Sequence, residues 1–351
     1  MPTAISLFSG LGGDTYGLTQ AGVNVIAYNE INKTFCASHD ANFKTCTLLS
    51  HEGSSDITKL PDSLFAFYQG KVDILFAGFP CQGFSSAGKK RDDDPRNTMF
   101  MEFVRATKQI QPYMIIGENV KGILTKKTPT GENYIDIIQS EFHKLGYTIQ
   151  YKIMKCDLYG VPQKRERCII LGVRENPYQW VPKFPEPKKT TFTPFVHFDM
   201  TGAVKVSDAL FKDIPATCIL TEMKNTSKGG KGHPYLHSKI DADVDRRTYN
   251  NVTHSNLFSF GKRDSPIHCE IVDVTKPFKT IICTYDHQPR LFVPLKNSEG
   301  CFLRTLLPDE LKQVQGFPKD YILCGTTKEQ YVQIGNAVPP PLITAIVKNI
   351  L

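Results

Sequence analysis

No apolar run in this sequence approaches the ~20 residues that a membrane-spanning helix needs, which argues against an integral membrane protein. The opening residues Met1 to Ile5 carry no basic flank ahead of their apolar stretch, so a secretory leader is not expected. There is no C-x-x-C and no Cys/His pair at zinc-finger spacing among the ten cysteines, at 36, 46, 81, 156, 168, 218, 269, 283, 301 and 324. Thiols scattered in this way read as small buried apolar groups, not as a disulfide framework or a metal site. Internal repeats and low-complexity tracts are absent. Charge of one sign is scarce too: 42 Lys+Arg against 35 Asp+Glu leave +7, a mild excess that suits a polyanionic partner without requiring one. What is there is material for a core, 40% hydrophobic residues against 22% charged. A length of 351 residues fits two domains, or one large domain with an insertion. A cytoplasmic location is expected, or a nuclear one for a eukaryotic or viral source.

The first 175 residues alternate short apolar runs with helical spacings. Ala4–Phe8, Val23–Tyr28, Val72–Ala77, Tyr113–Gly117 and Cys168–Val173 read as strands. Phe100, Phe103, Val104 and Thr107, and Ile135, Ile138, Phe142 and Leu145, fall at helical intervals. Apolar strands separated by helices predict a mostly parallel sheet with helices on both faces, which receives ligands at its carboxyl ends. After Trp180 the texture changes. Prolines at 177, 182, 185, 187 and 194 suggest a chain crossing between domains, and to about residue 300 the helical period fades. Within 223–263, eight Lys/Arg face three Asp; the run is either a solvated surface or a phosphate-contacting face. Leu342–Leu351 has the spacing of a docked terminal helix.

Phe8-Ser9-Gly10-Leu11-Gly12-Gly13 follows the first strand and opens a helix through Leu18. Its glycines permit a tight turn and a close backbone approach to a ligand. Glu30, after the second strand, can accept hydrogen bonds from a ribose. Asp56-Ile57, read as the end of the third strand, can offer a polar contact and an apolar wall to an adenine ring. These residues alone leave a nicotinamide cofactor and S-adenosylmethionine both open.

Gly78-Phe79-Pro80-Cys81-Gln82-Gly83-Phe84-Ser85 follows the fourth strand. A cysteine in a Gly-flanked loop is a poor core residue and a good nucleophile where the local field favours the thiolate. Glu118 closes the next strand, and Gln163-Lys164-Arg165-Glu166-Arg167 brings guanidinium groups to the same edge. Singly, Glu118 is a helix cap and the arginines are surface charge. Together they set a thiol, an acid and an arginine at adjacent strand ends.

With these blocks in order, the chain resembles the DNA (cytosine-5)-methyltransferases of the bacterial and viral type. The resemblance rests on 8–13, Glu30, Asp56-Ile57, Pro80-Cys81-Gln82, Glu118-Asn119-Val120 and Gln163 to Arg167. It continues through Arg304, Glu310 and Gln315-Gly316-Phe317-Pro318, and ends at Gln333 to Pro339. It implies a Rossmann-like, S-adenosylmethionine-dependent fold: an α/β, mixed, mostly parallel sheet carrying a smaller, loop-rich target-recognition domain. The implied division is 1–182 catalytic, 183–318 target recognition and 319–351 returning to the catalytic domain. By the resemblance, Cys81 attacks carbon 6 of cytosine. Glu118, holding or sharing a proton, bonds N3 and the exocyclic amine, and Arg167 reaches the carbonyl oxygen with Arg165 close by. Phe8, Gly10, Gly12, Glu30, Asp56, Ile57, Pro80 and Asn336 then hold S-adenosylmethionine, and no metal is implied. The substrate is double-stranded DNA, and the target base must be flipped out to reach Cys81. Ser85–Asn97 is expected to fold over it, with Ser85, Ser86, Lys89, Lys90 and Arg91 near phosphates. Asn225, Lys228, Arg246, Arg247 and Asn251 are base-reading candidates in the major groove. A monomer is the family's habit, and a companion restriction endonuclease a further expectation. One branch of the family methylates transfer RNA and carries a Cys-Phe-Thr block, of which Ile282-Cys283-Thr284-Tyr285 is a loose echo. An inactive DNA-binding homologue and a nicotinamide oxidoreductase are the other readings weighed. The first would have lost one of the motif residues, and the second has no use for Cys81, Glu118 and Arg167.

Overall fold

Strands that are apolar on both faces need cover on both sides, and the central strands here have it. β1 (Thr3–Leu7), β4 (Ile74–Ala77) and β5 (Met114–Asn119) are buried along nearly their whole length. The computed structural model describes residues 1–80, 99–174, 182–188, 200–206, 208–211, 214, 216–221, 244–249, 252–260, 269–286 and 289–351. With β2 (Asn24–Tyr28), β3 (Thr47–Leu48), β6 (Tyr147–Lys155) and β8 (Glu166–Arg174), these strands form a seven-stranded sheet in the order β3-β2-β1-β4-β5-β8-β6. Four neighbouring pairs are parallel, and β8 runs antiparallel to both β5 and β6.

Helices α1 (Gly13–Gln20), α2 (Lys33–Asn42), α3 (Asp62–Ala66), α4 (Phe100–Ile110) and α5 (Tyr134–Lys144) connect these strands. One core, with Phe103, Ile110, Ile138 and Phe142, packs α4 and α5 on one face. A second, with Leu18, Leu342, Ile343 and Ile346, packs the other face; each such side chain contributes ~1.5–3 kcal/mol on burial. The terminal helix lies against α1, where Thr344 Oγ1 donates to the Gly17 carbonyl at 3.0 Å.

A second, six-stranded sheet has the order β10-β11-β12-β14-β15-β9. It is built from β9 (Val204–Val206), β10 (Val244–Tyr249), β11 (Val252–Phe260), β12 (Cys269–Ile271), β14 (Leu291–Asn297) and β15 (Gly300–Thr305), with α6 (Asp208–Phe211) beside it. A two-stranded ribbon joins the halves of the molecule: β7 (Gln163–Lys164) pairs in parallel with β13 (Phe278–Lys279). Three helices follow, α7 (Pro308–Gln315), α8 (Thr327–Asn336) and α9 (Pro340–Ile350).

The chain from Pro182 to Lys188 stays on the first sheet's side of the molecule. Pro182, Lys183 and Pro185 offer carbonyls to Gln150, Asn349 and Tyr159, and Lys188 N–H donates to Leu158. Leu311 and Val314 of α7 share a core with Tyr331 and Ile334 of α8 and with Val293 and Leu295 of the second sheet. The division expected at 318/319 therefore falls between two helices that pack as one unit. Among the described cysteines, six are buried, Cys324 is half-buried and Cys283 is exposed. No described helix is long and apolar enough to cross a membrane, and no described group of three or more His, Cys, Asp or Glu could hold a metal ion.

Candidate active site

The sheet register lines up the chemistry. Leu7 pairs with Ala77 and Ala77 with Gly117, while Ser6 pairs with Tyr28. The residues after these positions, Phe8, Gly78, Glu118 and Asn29-Glu30, thus leave the sheet at one edge. Because β8 is antiparallel, its beginning lies at that same edge, with Cys168 opposite Asn119 and Ile169 opposite Glu118.

Arg167, at the start of β8, places Nε 2.6 Å from Glu118 Oε1. Glu118 is buried, and its other oxygen, Oε2, lies toward Gly78, where an added Cβ would sit 3.8 Å away. Asn119 braces the entry to the cysteine loop, donating from Nδ2 to the Phe79 carbonyl at 3.1 Å and accepting Val120 N–H at 2.9 Å. Pro80 is the last described residue on that side. Cys81, Ser85, Ser86, Lys89, Lys90 and Arg91 lie outside the described residues, as do Asn225, Lys228 and Asn251; Arg246 and Arg247 fall on β10.

The glycine loop is fixed from below. Phe8 has φ 56° and Gly10 φ 59°. The left-handed conformation of a phenylalanine costs ~1–3 kcal/mol and persists only where the surroundings dictate it. At Gly12, with φ 94°, a Cβ would meet Phe43 at 2.7 Å and His39 at 2.8 Å, whereas at Gly10 it would meet nothing within 4 Å. The loop is packed tight underneath and open above. Gly10 N–H donates to Glu30 Oε2 at 3.0 Å, and Asn32 N–H to Glu30 Oε1 at 2.8 Å. Burial raises the Glu30 pKa, against the pull of these amides. Each carboxylate oxygen keeps a lone pair for a ribose hydroxyl.

Under the loop runs a buried polar chain. Asp14 accepts from Ser6 and Ser9; Ser9 Oγ lies 3.1 Å from Thr15 Oγ1, which lies 3.1 Å from His39 Nε2. Burial pushes the Asp14 carboxyl up to about 7 and the His39 imidazole down to about 3. His39 stacks on Tyr28 at 3.6 Å, and its Nδ1 has no hydrogen-bond partner among the described residues. Neutral His39 donating from Nε2, with Nδ1 a bare acceptor, fits this arrangement.

Three expectations take a different form. Asp56 and Ile57 do not end a strand: β3 stops at Leu48, and Asp56 caps the single 3-10 turn Ile57–Lys59 with Oδ1. Ile57 is mostly core, and the apolar side chain left in the open near this rim is Ile31, 63% exposed beside Glu30. One isoleucine after an acid carries no periodic signal, so the sequence did not mark it. Arg165 does not join Arg167. It is buried, and donates to the carbonyls of Ile281, Gly335 and Ala337 at 3.1–3.2 Å. Those last two flank Asn336, which ends α8 with its side chain exposed. Gln163 and Gln315 complete the node by bonding to one another, with Gln315 also holding the Ala337 carbonyl.

A family model of C-5 cytosine-specific DNA methylases matches residues 3–351. This chain belongs to that family. The type II methyltransferase M1.HphI of Haemophilus parahaemolyticus is 32% identical over 99% of the chain and 86% of its own length. M.PspPI of a Psychrobacter is 32% identical over 99% of the chain and 78% of its length. Among solved structures, a DNMT2 of Spodoptera frugiperda matches with TM-score 0.65 and 18% identity, covering 100% of this chain and 99% of that one. The Dnmt2 methyltransferase of S. pombe matches with TM-score 0.60 and 15% identity over 99% and 97%. At such identities these two show the fold. The methylase is a DNA cytosine-5 methyltransferase with the α/β architecture of its family.

Proposed function

We propose that this methylase transfers a methyl group from S-adenosylmethionine to carbon 5 of a cytosine flipped out of a specific short duplex sequence, through a covalent bond to Cys81. The observation that carries the reading is the Glu118–Arg167 pair. A buried carboxylate with one oxygen bound to a guanidinium and the other turned toward the cysteine loop suits a base that must be held by its polar edge. The open space over Gly10, the two amides on Glu30 and the exposed Ile31 fit a ribose and an adenine. S-adenosylmethionine supplies the methyl group as an electrophile.

Carbon 5 of cytosine is too weak a nucleophile unaided. The Cys81 thiolate forms a bond to carbon 6, and the electron pair of the 5,6 double bond becomes available at carbon 5. Charge building on the ring is met by Glu118 at N3 and the exocyclic amine and by Arg167 at the carbonyl oxygen. Once carbon 5 is methylated, a base or water takes its proton, the double bond re-forms and Cys81 leaves as thiolate. Arg165 acts at a distance from the base: its bonds to Gly335 and Ala337 present Asn336 to the cofactor. The relatives' names favour a role beside a restriction endonuclease.

Expression in a host without cytosine methylation, followed by bisulfite sequencing, tests this. Methylated cytosines confined to one short context support the reading. An unmethylated genome with folded enzyme present contradicts it, and labelled S-adenosylmethionine with total RNA then asks whether transfer RNA is the substrate.

A further inference from the structure

The segment between β3 and β4 has little regular structure to hold it. From Leu49 to Asp73 it contains one 3-10 turn of three residues and the five-residue α3. The turn is closed by two main-chain bonds, Lys59 N–H to the Asp56 carbonyl at 2.9 Å and Leu60 N–H to the Ile57 carbonyl at 3.2 Å. Yet the residue before the Asp56–Ile57 turn, Ser55, is bonded to Asn29, the neighbour of Glu30, so the turn lies beside the ribose site proposed above.

One side chain supplies what the backbone lacks. Arg105, on α4, uses all five N–H donors of its guanidinium. Nη2 donates to the Ile57 carbonyl at 2.8 Å and Nη1 to the Leu60 carbonyl at 2.9 Å. Nη1 also binds Asp62 Oδ1 at 2.7 Å, while Nε and Nη2 hold Glu102 Oε2 at 2.9 and 2.6 Å. The guanidinium carbon lies 5.0 Å from the centroid of the Phe65 ring, a cation–π arrangement that further fixes its plane. On the other side, Asn29 Nδ2 donates to the Ser55 carbonyl at 2.8 Å. Residues 55–57 are thus gripped between the end of β2 and the middle of α4.

We infer that Arg105 is a positioning residue for the adenosyl end of the cofactor, holding the Asp56–Ile57 turn through its main-chain carbonyls. The inference rests on the S-adenosylmethionine reading above. Arg105 touches no reacting atom, so its loss weakens binding of the cofactor and leaves the chemical step alone. Lysine cannot replace it: a point ammonium has three donors and cannot span two carbonyls and two carboxylates at once.

Arg105→Lys, Arg105→Ala and Gln109→Ala are to be compared with the wild type. Gln109 also reaches from α4 to this segment, but among the described residues binds only the Asp62 side chain, at 2.9 Å. The measurements are calorimetric binding of S-adenosylmethionine, KM for cofactor and for DNA, kcat, and thermal melting. Expected are a ~10-fold rise in cofactor KM and Kd for Arg105→Ala and a ~3-fold rise for Arg105→Lys. kcat and the KM for DNA stay within ~2-fold, and Gln109→Ala matches the wild type. Folded Arg105→Lys with wild-type cofactor affinity overturns the inference, and this variant decides if Arg105→Ala does not fold. Equal losses in kcat and DNA affinity, or the same rise in Gln109→Ala, also overturn it, because they mark general loosening of α3 against α4. A wild type that binds no S-adenosylmethionine overturns the cofactor reading itself, and the inference with it.

Discussion

Among the described residues, two buried ion pairs join a guanidinium to a glutamate, and they are finished differently. Arg304 and Glu310 have side chains 1% and 7% exposed. Glu310 accepts from Arg304 through both oxygens and from Leu307 N–H at 2.8 Å, and Arg304 Nη1 also reaches the Thr305 carbonyl at 3.0 Å. The pair caps α7 and ties it to β15. Glu118 and Arg167 are 10% and 12% exposed and meet through one oxygen. Arg167 Nη1 also donates to the Glu166 carbonyl at 2.8 Å, and Glu118 Oε2 is turned toward Gly78, where the cysteine loop begins. Among the described residues Glu310 is held through both oxygens and Glu118 through one, the pattern expected of a carboxylate kept for the proposed base.

That contrast can be broken by exchanging damage between the pairs. Glu118→Gln keeps the size of the side chain and removes its charge; kcat is expected to fall ~10²–10⁴-fold, with a melting temperature within a few degrees of the wild type. A large loss of stability with normal turnover would make Glu118 structural. Glu310→Gln should do the reverse, losing ~3–5 kcal/mol in denaturant unfolding while kcat per folded molecule is kept. Replacing both partners, Arg304→Met with Glu310→Leu, should recover most of that loss, since a buried pair and an apolar pair of similar volume are often nearly equivalent. Failure of the double variant to recover would show that the cap at Leu307 matters more than the pair.

A pH-dependent effect lies beneath the glycine loop. The Asp14 carboxyl is raised from 3.8 to about 7, so between those values the folded protein holds a proton that the unfolded chain has released. Stability from this group is fully present below about pH 4 and is lost as pH rises toward about 7, by up to ~1.4 kcal/mol per unit. His39, lowered to about 3 from 6.5, has the opposite slope: its stability is present above pH 6.5 and is lost as pH falls toward about 3. The two nearly cancel between pH 4 and 6.5. Asp14→Asn should therefore gain on the wild type steadily from pH 4 to 7 in melting temperature. A constant difference across that range would place the Asp14 proton elsewhere.

The catalytic sheet was legible because strands covered on both sides are written as unbroken apolar runs, and β4, Ile-Leu-Phe-Ala, is the plainest. The strand-end motifs followed from that placement. Arg165 was expected close to Arg167 because both belong to the one block, Gln163 to Arg167, that carries the resemblance. In the structure the chain changes partners at Arg165, with Gln163-Lys164 pairing to β13 and Glu166 onward pairing to β6 and β5. Asp56-Ile57 was assigned to a strand end because β3 has only two residues and leaves almost no pattern. Arg105 was invisible for another reason: its partners in the segment before β4 lie 43 to 48 residues away, and no local spacing encodes such a contact.

The central claim is covalent attack on cytosine by Cys81, and a duplex carrying 5-fluorocytosine at the methylated position tests it most directly. With S-adenosylmethionine present, fluorine cannot leave carbon 5 as a proton does, so the enzyme should stay bound to its DNA. On a denaturing gel the wild type should shift by the mass of the DNA strand that carries the fluorinated base, and Cys81→Ser should not shift. An active wild type that leaves the fluorinated duplex unbound, or a Cys81→Ser variant that still forms the adduct, would contradict the account.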